Sequence, residues 1–145
     1  MDARPRPEDD FYSWALAQAD AARRRAGNEL DWDGVAEELQ LLGISEEREL
    51  YSRLLVLMTH LLKWIVQPER RGRSWLNTIA LQRRMLARHI ARNPGLKSRE
   101  SEAFAEAYAD ARLAASSETD LDLDLFPTDP PFTPEQARDE AWLPE

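Results

Sequence analysis

The chain has no cysteine, only 5 glycines and only 2 histidines in 145 residues. Without cysteine there is no disulfide framework and no thiolate metal site, which fits a reducing cytoplasm. Two histidines would need carboxylates to complete a zinc site. No Glu-x-x-His pair of the kind that builds a di-iron centre in a helical bundle is present. No metal and no cofactor are expected. Scarce glycine leaves no Gly-rich phosphate loop. β-Branched residues are sparse, which argues against a sheet. No apolar run approaches the ~18–20 residues of a membrane span. The opening MDARPRPEDD holds no apolar signal core. A soluble, cytoplasmic protein that does not engage membranes is expected.

What is present points to helices. Alanine, leucine, glutamate and arginine dominate, and all are good helix formers. Hydrophobic residues make up 43%, enough for one core, and charged residues 32%, enough for long solvated helix faces. The net charge of −8 conceals three blocks. Residues 1–43 hold 5 basic and 10 acidic side chains, residues 44–99 hold 12 and 4, and residues 100–145 hold 2 and 13. A basic middle lies between acidic flanks. Such blocks speak to association or to internal pairing more than to chemistry.

The periodicity predicts an all-α, single-domain bundle of four to five helices. Residues 1–8 are read as a disordered leader, 9–117 as the bundle, and 118–145 as an extended strap with a short terminal helix packed on it. The first helix starts at a cap on Asp9 or Asp10, buries Phe11, Trp14, Ala15 and Ala22, and stops at Gly27. The second runs from Asp31 to Leu42 with Trp32, Val35, Ala36, Leu39 and Leu42 on one face, and Gly43 ends it. Ser45 caps the third, with Glu46 and Glu47 in its first turn, and the helix continues to Val66. Ser74 caps the fourth, which ends at Arg92 before Asn93-Pro94-Gly95. The fifth spans Lys97 to Ser116. In ETDLDLDLFPTDPPF the alternation places Leu121, Leu123 and Leu125 inward. Counted from Asp120, Leu125 and Pro131 stand where a calcium loop needs Gly and Glu, so that motif fails. Thr133-Pro134-Glu135 reads as a capped helix start, and Trp142 and Leu143 as docking residues.

A few residues exceed what a plain bundle needs. In HLLKWIVQPERRGRSW, Pro68, Gly72 and Ser74 explain the turn, and Trp64 and Trp75 are expected to pack together. Arg70, Arg71 and Arg73 are not explained by turning and lie beside a helix N-terminus, where anions are favoured. Lys63 and His60 share the one polar stripe on the third helix, with Arg53. Arg83 falls in the middle of an apolar face made by Trp75, Leu76, Ile79, Leu86, Ala87 and Ile90. An arginine there must either snorkel to solvent or meet a carboxylate, and Glu38 is the expected partner, with Asp110 and Glu69 as alternatives. Arg84, Arg88 and Arg92 fall on the solvated side.

The runs DFYSWALAQA, LDWDGVAEELQLLG, LLVLMTHLLKWIVQPERRGRSWLNTIALQRR and LFPTDPPFTPEQARDEAWLP resemble the bacterial domain-of-unknown-function family twenty-nine, in order from about Asp9 to Pro144. The resemblance implies a small all-helical bacterial protein and carries over no activity, substrate or catalytic residue. The residues themselves favour a protein-interaction module that uses the basic aromatic corner at 63–75 toward a protein partner or a second copy. One alternative is nucleic-acid binding, with Trp64 and Trp75 stacking on bases. Another is a small helical ribonuclease. Arg53/His60 and Arg84/His89 match the loose Arg-to-His spacing of such enzymes, and Arg83 with His60 could perform acid–base work on an anion.

Overall fold

The computed structural model describes residues 4–145. Five α-helices follow in order: α1 (Phe11–Arg23), α2 (Trp32–Val66), α3 (Arg73–Arg92), α4 (Glu100–Thr119) and α5 (Pro134–Arg138). Short 3-10 turns lie between them, and among the described residues there is no strand. Of the expected disordered leader, residues 1–3 lie outside the described residues. Residues 7–9 form a turn in which the Asp9 and Asp10 amides donate to Arg6 O at 3.1 and 2.9 Å. The chain forms two compact units, the first ending at Ser45 and the second beginning at Glu46.

In the first unit Asp10 caps α1, its Oδ1 accepting from the Ser13 amide at 3.0 Å. Trp14 and Ala21 are the buried residues of this helix, whereas Phe11 and Ala22 of the expected stripe are exposed. The helix ends by a Schellman closure, with the Ala26 amide on Ala21 O and the Arg25 amide on Ala22 O. The left-handed residue is therefore Arg25, at φ 57°, and not the expected Gly27. Asp31 ties the unit together. Its Oδ1 accepts from the Gly34 amide at the start of α2, its Oδ2 from Trp14 Nε1 at 3.3 Å, and its amide donates to Gln18. Gly34 leaves room for this, since a Cβ there would come within 2.9 Å of the Trp14 ring.

The expected break at Gly43 does not occur. α2 is one helix of 35 residues. A glycine inside a helix costs only about 1 kcal/mol relative to alanine, and the strong helix formers on both sides outweigh that. Of the face expected to pack in residues 31–42, Val35 is half-buried, while Trp32, Leu39 and Leu42 are 65%, 63% and 63% exposed.

The second unit holds the main core. α2 contributes Leu50, Leu54, Leu57, Met58, Leu61 and Leu62, all buried. α3 adds Ile79, Leu86 and Ile90, and α4 adds Phe104, Ala107, Tyr108, Ala111 and Ala115 at i, i+3, i+4 spacing. α3 begins at Arg73 with Gly72 at its cap, so Ser74 lies inside the helix, and Leu76 and Ala87 of its expected apolar face are exposed. α4 begins at Glu100, because Pro94–Arg99 winds as 3-10.

Of the leucines expected to face inward, Leu121 packs partly buried on the core and Leu123 is half-buried, and the strap's deepest anchors are aromatic. A 3-10 turn at Leu123–Leu125 breaks the two-residue period and leaves Leu125 exposed, while Phe126 and Phe132 are buried. Phe132 meets Phe104, Tyr108 and Trp142 edge-on at 6.0–6.2 Å between centroids. Its carbonyls find donors on α4: Arg112 reaches Phe126 O and Leu123 O, Tyr108 Oη reaches Pro127 O, and Ser116 Oγ reaches Leu121 O. Thr133 and Gln136 close a reciprocal capping box that starts α5.

Candidate functional site

At the corner between α2 and α3 each tryptophan takes a cation instead of the other ring. Lys63 Nζ stands 5.0 Å over Trp75, and Arg71 stands 5.0 Å over Trp64. Arg71 Nε also donates to Trp64 O at 2.7 Å, a carbonyl in the last turn of α2 that has no helical partner of its own. Lys63 Nζ lies 3.5 Å from Glu118, so the acidic C-terminal part of the chain supplies part of the corner's counter-charge. Arg70 and Arg73 are exposed, and among the described residues neither has an ion pair. His60 turns back on its own helix, its Nδ1 donating to Val56 O at 2.9 Å.

Arg83 is buried, as its place on α3 requires, but it meets carbonyls rather than a carboxylate. Nε donates to Ala137 O at 2.8 Å and Nη2 is 3.4 Å from Gln136 O, which caps the C-terminal end of α5. Of the expected partners, Glu38 belongs to the first unit and Asp110 accepts from Tyr51. Burial lowers the Arg83 pKa, opposed by the charges of Asp139 and Glu140. Arg84 is exposed while His89, five residues on, is buried, so the Arg84/His89 spacing does not form a pair. Arg53 reaches Glu49 at 3.5 Å.

His89 is the polar residue whose setting the sequence did not reveal. It is 6% exposed, and its Nε2 donates to Glu46 O at 2.8 Å. A carbonyl only accepts, so Nε2 carries the hydrogen. Nδ1 then faces Glu46 Oε2 at 3.5 Å and Glu49 Oε2 at 3.6 Å. These three side chains line a cleft of about 380 Å³ with Met85, Arg88, Arg92 and Asn93. The available signal was Glu46-x-x-Glu49, one turn apart on a helix. Read as the first turn of a new helix, Glu46 had a dipole to explain it. In a continuous α2 that explanation disappears, and the two carboxylates stand on the face toward α3.

The model of the family described as domain of unknown function DUF29 matches residues 8–143. This chain belongs to DUF29. No curated protein and no solved structure matches this DUF29 chain. Among its described residues no helix is long and apolar enough to cross a membrane.

Proposed function

We propose that this DUF29 chain is a protein-interaction module, and that its docking face lies in residues 11–42 of the first unit. The observation that carries the reading is the exposure of large apolar side chains in the first unit. Phe11, Tyr12 and Leu16 on α1, and Trp32, Leu39, Leu41 and Leu42 on α2, are all exposed. Large apolar side chains left exposed in this number suit an association site. Trp32, Val35, Leu39 and Leu42 follow a 3-4-3 spacing, the seam by which one helix packs on another. An apolar helical seam is self-complementary, so a second copy of the chain is the partner to test first. The basic corner at 63–75 belongs to the second unit, and there the exposed Arg70 and Arg73 would give a partner charge selectivity rather than affinity.

The nucleic-acid reading is weaker. Trp64 and Trp75 already carry cations on their faces, and the chain as a whole is acidic. Native mass spectrometry of the full chain across concentrations tests the proposal. A dimer that Leu39→Glu converts to monomer, with the helical spectrum unchanged, is the expected result. A wild-type monomer at all concentrations, whether or not nucleic acid is present, would remove the second copy as partner.

A further inference from the structure

We propose that Glu46, Glu49 and His89 form a mononuclear binding site for a divalent first-row transition ion. Glu46 and Glu49 come from α2 and His89 from α3, and their donor atoms all lie within 4.8 Å of one another. The two nitrogen-to-oxygen separations, 3.5 and 3.6 Å, match the edge of a tetrahedron with bonds of about 2.1 Å, which is about 3.4 Å.

The second observation is the imidazole itself. It is buried to 94%, from its 6% exposure, and its Nε2–H is fixed on a main-chain carbonyl. That is the outer hydrogen bond that metal-binding histidines make, and it turns Nδ1 toward the carboxylates. Nδ1 and two carboxylate oxygens at this spacing call for a positive charge between them, which a proton or a metal ion can supply. Among the described residues no hydrogen-bond donor reaches Nδ1. One nitrogen and two oxygen donors suit Zn²⁺, Fe²⁺ or Mn²⁺ better than a soft ion. Three protein donors leave a fourth position for water or an anionic group, which Arg88 and Arg92 on the same cleft would attract. The same two arginines weaken cation binding, so the site should be neutralised by the ion rather than over-charged by it.

The test uses the full chain with no histidine tag, titrated with Zn²⁺ by calorimetry and with Co²⁺ by visible absorption. The proposal expects one equivalent bound, a raised melting temperature, and a tetrahedral Co²⁺ spectrum. Glu49→Gln alters a half-exposed side chain and leaves the His89 hydrogen bond in place, so it should fold. It should cost more affinity than the roughly 10–100-fold lost with an outer-shell partner. His89→Ala should abolish binding, and His60→Ala should leave it unchanged. The ¹⁵N resonance of His89 Nδ1 gives an independent readout and should shift on Zn²⁺ addition. Absence of saturable binding, equal affinity in Glu49→Gln and wild type, or an Nδ1 that stays protonated in excess Zn²⁺ would each overturn the site and leave a histidine–glutamate ion pair.

Discussion

Arg83 illustrates how a single buried charge is satisfied by carbonyls rather than by a salt-bridged carboxylate. Its guanidinium donates to the last carbonyls of a five-residue helix, groups that water would otherwise have to reach. Arg83→Ala should therefore destabilise the chain by about 2–4 kcal/mol, from unmet carbonyls and lost packing together. Urea unfolding measures it, and proteolysis near residues 134–145 should rise first if α5 detaches. Gly34 shows the opposite case, in which an absent side chain matters. Gly34→Ala places a methyl against the Trp14 ring and should cost about 1–3 kcal/mol, read as loss of the Trp14 fluorescence environment in the first unit. The sequence marked Arg83 as central to an apolar face but not its partners, because those carbonyls come from residues more than 50 positions away. Nothing in the sequence placed Gly34 against Trp14.

At the scale of elements, helix boundaries depended on small terms that neighbouring residues outvote. Gly43 lies within α2 with nothing within 4 Å of a Cβ built on it. Gly43→Ala should stabilise by about 0.5–1 kcal/mol through helix propensity alone. Arg25 occupies a left-handed position that glycine would take at less cost. Arg25→Gly should stabilise by about 1 kcal/mol, and thermal melts of both variants check the pair. The strap follows the same logic in reverse. Its Asp-Leu alternation suggested an extended segment, but the Asp122 side chain accepts from the Asp124 amide and sets a turn instead. The aromatics then do the anchoring. Phe132→Ala should cost about 3–5 kcal/mol, because it removes one ring that touches three others.

For the whole molecule, alkaline stability reports on two phenols held by long-range contacts. The hydrogen bond to Asp110 raises the Tyr51 pKa to about 12, and burial raises that of Tyr108 to about 12. Both groups hold their protons more tightly folded than unfolded. Their contribution is complete below the ordinary phenol pKa of about 10 and is lost as pH rises from about 10 to 12. Urea midpoints should therefore fall across that window, and Tyr108→Phe should flatten part of the fall. A fall completed below pH 9 would contradict it.

The sequence by itself determined that the chain is helical, where most of its core leucines lie, that Arg83 sits on an apolar face, that a helix starts at Asp9 or Asp10 and that Thr133 starts another. These follow from local periodicity and capping, which act over one or two turns. It also carried the family's motifs along nearly the whole chain. Only the tertiary structure decided that Trp32–Val66 is one helix, that Trp64 and Trp75 take cations, and that Phe126 and Phe132 anchor the strap. Only it brought His89 onto Glu46 and Glu49, 43 and 40 residues away. Packing between distant segments sets those meetings, and no local period encodes which helix faces will touch.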